Sequence, residues 1–302
     1  MGILITGAGG FIGFNLCKKL LEMKLEVIGF DNLNNYYDVN LKKARIKELE
    51  KLSLKNKVSF KLIIGDLNDK LSVENLFEKY QPQIVVNLAA QAGVRYSLKN
   101  PHSYVESNVV GFLNILEGCR HTKSENLIYA SSSSVYGGNL NMPFKEDQNV
   151  DHPVSLYAAT KKSNEMMAHT YSHLFGIKAI GLRFFTVYGP WGRPDMALFL
   201  FTKAIIEDKP IKIFNNGNMI RDFTYIDDVV ESIVKLLDKP AIGEKSFNKS
   251  DPKPSTSWAP HKIFNIGNSN PVSLMKYIDE IEKVIGKKAK KEFLPMQPGD
   301  VE

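Results

Sequence analysis

Cysteine is nearly absent: Cys17 and Cys119 are the two thiols in 302 residues, far apart and each inside a segment of helical pattern. That excludes a disulfide framework, suits a reducing cytoplasm and reads as two buried thiols. No set of metal ligands is read from the chain. No apolar run reaches membrane-spanning length. No charged n-region followed by an apolar stretch opens the chain either, because a glycine-rich turn begins at Thr6. Internal repeats are lacking, and no nucleic-acid motif accompanies the net charge of +6. Part of that charge sits in "GKKAKK" (Gly286 to Lys291), read as a solvated edge; the excess is compatible with small anionic ligands. What remains is a composition of 43% hydrophobic and 24% charged residues, that of a soluble globular chain. Its length suffices for one large or two modest domains with a real core.

The first chemical signal is "TGAGGFIG", Thr6 to Gly13. Before it stands the short β-prone "GILI". After it Phe11, Ile12, Leu16, Leu20 and Leu21 recur at roughly helical spacing, and "LEVIGF" then reads as a second strand ending at Asp31. Gly7, Gly10 and Gly13 are spaced G-x-x-G-x-x-G. Glycine permits the tight turn and the approach of a pyrophosphate, and the helix N-terminus offers N–H groups and partial positive charge to that anion. Asp31 follows 18 residues after Gly13, where a carboxylate accepts hydrogen bonds from an adenosine ribose and repels a 2′-phosphate. Strand, turn, helix, strand and acid together predict a site for NAD.

The alternation continues. "VSFKLIIGD", "PQIVVNLAAQAG", "NLIYASSSSVYG" and "IKAIGLRFF" read as strands, separated by helices over "KLSVENLFEKY", "PHSYVESNVVGFLNILEGCR" and "LYAATKKSNEMMAHTYSHLFG". Strands alternating with helices predict an α/β fold with a parallel sheet covered on both faces and ligands at its carboxyl edge. From about Thr186 the rhythm loosens, with Pro190, Pro194 and Pro210, and "SFNKSDPKPSTSWAPH" reads as a long loop. The expected division is a cofactor domain over 1–185 and a smaller, mainly substrate-binding domain over 186–302, with segments returning to the sheet. The chain stops at "QPGDVE" without a closing helix, so a C-terminal piece is expected beyond it.

"YAATK" places Tyr157 and Lys161 four apart, on one helical face. An ammonium beside a phenol favours phenolate, and a nicotinamide cation pushes the same way, so Tyr157 is expected to serve as general base with a lowered pKa. The serine run Ser131 to Ser134 at a strand end offers a hydroxyl to hold the substrate oxygen.

With these residues in view, the chain resembles the extended short-chain dehydrogenase/reductases, and within them the nucleotide-sugar epimerases. "DNLNNYYDVNLKKAR", "LAAQAGVRYS", "LRFFTVYGPWGRPDM" and "FNNGNMIRDFTYIDD" are most similar to UDP-glucuronate 4-epimerases. The resemblance implies a Rossmann doubly wound parallel sheet with a smaller C-terminal substrate domain, NAD as cofactor, and a homodimer paired through the helices at about 101–121 and 157–175. It implies Gly7, Gly10, Phe11, Ile12 and Gly13 as the dinucleotide turn, and Asp31, Asn32 and Asn35 as ribose and phosphate contacts. Asp66 and Leu67 match an adenine-contacting pair, Ala89, Ala90 and Gln91 the loop beside the cofactor, and Asn108 the asparagine behind the active site. Ser132, Tyr157 and Lys161 match the catalytic set. Arg221 looks like the diphosphate clamp, with Arg193 near diphosphate or uridine, Asp300 at the uridine ribose, and Phe214 either stacked on uracil or in the core. Thr186 stands where many sugar epimerases carry asparagine, and Gln297 where galactose-type enzymes carry arginine. Both departures agree with the glucuronate subgroup.

The related 4,6-dehydratases and decarboxylases carry an acid within two residues of the catalytic Ser/Thr, where this chain has Ser133 and Ser134. Hydroxyls are poor bases, so 4-epimerisation through a 4-keto sugar is the expected reaction. Ser132, Ser133 and Ser134 are candidates to grip the substrate carboxylate and restrain loss of CO2; a polar strand end is the other reading. A UDP-hexose 4-epimerase, a UDP-glucuronate decarboxylase and a non-catalytic nucleotide sensor stay as alternatives. A UDP-sugar is the expected partner, with no nucleic acid and no membrane, in the cytoplasm.

Overall fold

The computed structural model describes residues 2–300. Its first half alternates strand and helix: β1 (Ile3–Thr6), α1 (Phe11–Glu22), β2 (Val27–Asp31), α2 (Val39–Asn56), β3 (Phe60–Ile64), α3 (Lys70–Tyr80) and β4 (Ile84–Asn87). Helix α4 (Pro101–Tyr104) runs through a π-helical segment, Val105–Val110, into α5 (Gly111–Thr122). Then come β5 (Asn126–Ser132), α6 (Leu156–Phe175) and β6 (Ala179–Phe184). With β10 (His261–Ile266) these strands make a seven-stranded sheet in the order β10-β6-β5-β4-β1-β2-β3. Every pairing in it is parallel. Strands β1, β4 and β6 are buried along their whole length. That is why they are continuous apolar runs: helices cover both faces.

One face packs α1 through Phe14, Leu16, Cys17, Leu20 and Leu21 against Ile3, Ile5, Val86 and Ile128 of the sheet. The other packs α3 and α5 through Leu76, Phe77, Phe112, Ile115 and Leu116 against Leu4, Val85 and Leu127. Strand order reverses beside β1, with β2 on one side and β4 on the other, which opens a crevice at the carboxyl ends.

Beyond β6 lie β7 (Thr186–Tyr188), α7 (Ala197–Ile206), β8 (Pro210–Ile213), β9 (Ile220–Tyr225) and α8 (Ile226–Leu237), and after β10, β11 (Pro271–Ser273), α9 (Leu274–Ile285) and β12 (Lys290–Phe293). Strands β11-β9-β7 and β12-β8 form two small sheets. Ile205, Ile211, Ile213, Ile278 and Ile281 make a separate small core there. Two elements of this half return: β10 pairs with β6 from His261↔Ala179 to Ile266↔Phe184. Val229, Val230 and Ile233 of α8 join the core beneath α1.

Two features differ from the sequence reading. Periodicity showed no helix between Asp31 and β3, yet α2 occupies 18 residues there. Its charge-rich "KKARIKELEK" masks a narrow stripe in which Lys42, Arg45, Ile46 and Leu49 are buried. The single long helix expected from Pro101 contains the π-helical segment, and that segment carries Asn108.

Candidate functional site

The crevice is a cleft of about 250 Å3 at the carboxyl ends of the central strands. Gly7, Gly10, Phe11, Ile12 and Gly13 line its floor. The turn needs its glycines. Gly7 has φ +71°, and a Cβ there would stand 2.9 Å from the backbone nitrogen of Ala89. A Cβ on Gly13 would stand 2.0 Å from the Gly7 carbonyl oxygen, an impossible overlap. So β1 can pass straight into α1, whose first turn then faces the cleft.

Asp31, at the end of β2, is buried and also lines the cleft. Its Oδ2 accepts from the Gly9 amide at 2.9 Å and its Oδ1 from the Leu33 amide at 2.7 Å. The acid thus holds the turn in place while presenting remaining lone pairs to the cleft. Asn32 donates to Asp66 Oδ2 at 2.7 Å, and Asp66 and Leu67 line the same end. Asn35 is exposed and outside the cleft wall; Asn34 takes the inward place and accepts from Lys42 Nζ at 2.7 Å.

Ala89, Ala90 and Gln91 line the opposite side after β4. Thr6 Oγ1 donates to Asn87 Oδ1 at 2.6 Å and accepts from the Ala89 amide at 3.1 Å, tying the exits of β1 and β4. Asn108 lies behind this loop. Its Oδ1 accepts from the Gln91 amide at 2.7 Å, and its Nδ2 donates to the Gln91 carbonyl and to Thr160 Oγ1, both at 3.1 Å. Asn164 of α6 donates to the Asn108 carbonyl, inside the π-helical segment, at 2.6 Å.

Ser155 caps α6 by accepting from the Ala158 amide, so Tyr157 falls in the first helical turn and Lys161 one turn later. Both reach the cleft wall, with Ser132 at the end of β5. Lys161 Nζ donates to the Ala130 carbonyl at 2.9 Å and lies 6.0 Å from the centre of the Tyr157 ring. Burial pushes the Tyr157 phenol up, against a hydrogen bond from Ser132 and the charge of Arg193. Burial also pulls Lys161 down to about 8. The lowered phenol pKa expected for Tyr157 is therefore corrected: desolvation outweighs the Ser132 hydrogen bond and the Arg193 charge. Of the serine run, Ser131 and Ser132 reach the cleft. Ser131 is engaged with Glu165 at 2.7 Å, and Ser134 Oγ donates to Ser132 Oγ at 2.9 Å. Ser133 is half-buried, away from the lining.

Arg193 lines the cleft from the far wall, its guanidinium bound to both oxygens of Asp195. Thr186 lies beside a small side pocket shared with Phe11 and Arg193. Phe214, Arg221 and Asp300 gather elsewhere, around Arg95. The Arg95 guanidinium sits 4.7 Å over the Phe214 ring and donates to Asp300 at 2.9 Å. Burial lowers the Arg221 pKa, with Asp300 raising it and Arg95 lowering it again. Arg95 was not a candidate from sequence; it stands in "LAAQAGVRYS", but only the fold carries it to Asp300. Tyr36, Tyr37 and Lys42, in the loop after β2 and in α2, also line the cleft and were likewise unassigned. No group of His, Cys, Asp or Glu among the described residues could hold a metal ion.

A glycine turn under an acid-tipped β2, facing a Ser, a Tyr and a Lys across one crevice, defines a Rossmann-type α/β protein of the extended short-chain dehydrogenase/reductase kind. More narrowly, the chain belongs to the NAD dependent epimerase/dehydratase family, whose model matches residues 3–267. It is 56% identical to "Protein CapI" of Staphylococcus aureus, over 100% of this chain and 88% of that one. It is 47% identical to a probable UDP-glucuronate 4-epimerase of Rhizobium meliloti, over 100% of this chain and 87% of that one. Among solved structures it is similar to a UDP-glucuronic acid 4-epimerase from Bacillus cereus in complex with UDP-glucuronic acid and NAD. The TM-score is 0.85 at 37% identity, covering 99% of this chain and 88% of the other.

Proposed function

We propose that the protein interconverts UDP-glucuronate and UDP-galacturonate by NAD-dependent epimerisation at C4. The observation that carries the reading is the meeting of Ser132, Tyr157 and Lys161 with the glycine turn and Asp31 in one cleft. The names of the similar proteins support the substrate.

The residues present fit a dinucleotide. The turn admits no side chain at Gly7 or Gly13, so the space above it stays open to a pyrophosphate. Asp31 and Asn32 would hold the adenosine ribose, Asp66 and Leu67 the adenine, and Tyr157 with Lys161 the nicotinamide end. When bound, NAD supplies the hydride acceptor and donor at C4. Tyr157 takes the proton of the 4-hydroxyl and later returns it. Ser132, with the Ser134 hydroxyl donating to it, holds O4 in line with the phenol. Lys161 presents a cation one helical turn away that steadies the phenolate. Arg221 and Arg95 grip the diphosphate, which suits a guanidinium fork, and Phe214 and Asp300 take the uridine. Arg193 and Thr186 face the sugar end. With Ser133 and Ser134 after Ser132, no carboxylate is placed to take a proton from C5.

The apolar residues Val105, Val110 and Leu113 of the α4–α5 helix and Met166, Leu174 and Phe175 of α6 are exposed. We take them as the face on which two copies pair, making the enzyme a homodimer. Both cysteines are free and buried, and no described helix is long and apolar enough to cross a membrane; the cytoplasm is the proposed location.

The test is incubation of the purified protein with UDP-glucuronate and no added redox partner, with products identified by NMR. UDP-galacturonate is the expected product. Ready conversion of UDP-glucose with UDP-glucuronate left untouched overturns the substrate; a pentose product overturns the reaction.

A further inference from the structure

Arg45, in the middle of α2, is fully buried and forms no ion pair among the described residues. A buried guanidinium without a carboxylate is expensive, so its position asks for a cause. Its four terminal N–H groups have four acceptors. Nη1 donates to the Gly9 carbonyl at 2.9 Å and to the Tyr37 hydroxyl at 2.7 Å, both on the cofactor side of the cleft. Nη2 donates to the carbonyls of Trp191 at 2.6 Å and Gly192 at 3.2 Å. Those belong to the segment that continues through Arg193 to Met196 and forms the facing wall. Nε is left without a partner, so the head group is placed for the bridge and not for its own satisfaction.

A second tie crosses the same gap. Tyr36 OH donates to Asp195 Oδ2 at 3.2 Å, and Asp195 in turn holds Arg193. Trp191, at φ +62°, rests its ring 5.2 Å from that of Phe14 on α1. The 191–196 segment is thus fastened at two points, by Arg45 to the glycine turn and by Asp195 to Tyr36 of the loop after β2.

We infer that Arg45 is a positioning residue that fastens the 191–196 segment against the glycine turn and thereby retains the dinucleotide between turnovers. The inference rests on the proposed function in one respect: a reaction that returns its hydride to the substrate leaves the cofactor unchanged, so the enzyme gains nothing by releasing it. Only a planar fork serves. Lysine keeps the charge, but a single ammonium cannot span carbonyls on both sides.

The experiment follows NAD leaving the purified holoprotein after rapid dilution, with no sugar present, for wild type, Arg45→Lys, Arg45→Met and Tyr36→Phe. Both Arg45 variants are expected to release NAD at least about tenfold faster, equivalent to about 1.4 kcal/mol. Tyr36→Phe, losing the lesser tie, is expected to show a smaller increase. Turnover lost by the Arg45 variants on dilution should return on adding NAD, which a general loss of folded protein would not allow. Wild-type release from Arg45→Lys, or lost turnover that NAD does not restore, overturns the inference. Should the Arg45 variants not fold, Tyr36→Phe decides, and unchanged release overturns it. A wild type that binds no NAD overturns the functional reading instead.

Discussion

Lys161 is 3% exposed, and the one hydrogen bond it makes among the described residues goes to a neutral carbonyl, that of Ala130. Burial alone pulls it from 10.5 to about 8. That fall corresponds to roughly 3 kcal/mol by which folding disfavours the charged side chain. Lys161→Met removes the charge and keeps most of the volume. Against the gain stands the Ala130 contact, worth about 1 kcal/mol. The variant is therefore expected to be more stable than wild type by roughly 2 kcal/mol at pH 7, while its turnover collapses.

The pH dependence follows from proton counting. Below about pH 8 the lysine is protonated in both folded and unfolded protein, and the full penalty applies to wild type. Between about 8 and 10.5 the unfolded chain binds more protons than the folded one, so wild-type stability rises with pH. The advantage of Lys161→Met should shrink over that window, vanish near about pH 9.5 and give way above it to a wild-type lead of about 1 kcal/mol from the Ala130 contact. Urea unfolding of nucleotide-free protein at pH 7 and at pH 9.5 measures this. A variant less stable than wild type at pH 7, or an advantage that ignores pH, refutes the reasoning.

Tyr157→Phe keeps the ring and its contact with Tyr104, so fold and NAD binding should survive while kcat drops by about 10²–10⁴-fold, as steady-state assays would show. Gly13→Ala forces a methyl to 2.0 Å from the Gly7 carbonyl; NAD binding by calorimetry should disappear, with at least about 1–3 kcal/mol of stability lost. Glu165 binds buried Arg183 through two bonds of 2.9 Å and also accepts from Ser131. Glu165→Ala should therefore cost about 3–5 kcal/mol in urea unfolding, and a loss below about 1 kcal/mol would show the pair to be dispensable.

Much of the site could be read from local pattern because local chemistry forms it. The glycines of the turn, Asp31 at a strand end and the Tyr157–Lys161 spacing each depend on neighbours a few residues away. Helix α2 escaped notice because its buried face contains a lysine and an arginine, which a hydropathy pattern counts as surface. Asn34 and Asn35 are adjacent and alike; which one faces inward follows from Lys42, a residue of α2. The pKa of Tyr157 moves upward where a fall was expected, since spacing reveals a nearby charge but not the depth at which the phenol is buried.

By itself, then, the amino-acid sequence determined the parallel α/β frame, the dinucleotide turn and the shared helical face of Tyr157 and Lys161, all set by periodicity, glycine sterics and helical spacing. The tertiary structure decided what depends on distant partners and on burial. Arg95 meets Asp300 across 205 positions, and Arg45 meets Trp191 across 146. The pKa of Tyr157 and Lys161 depends on how much water the packed sheet and α6 exclude. Such contacts exist only after the chain has closed on itself, because no local rule of propensity or spacing carries information about which surfaces will meet.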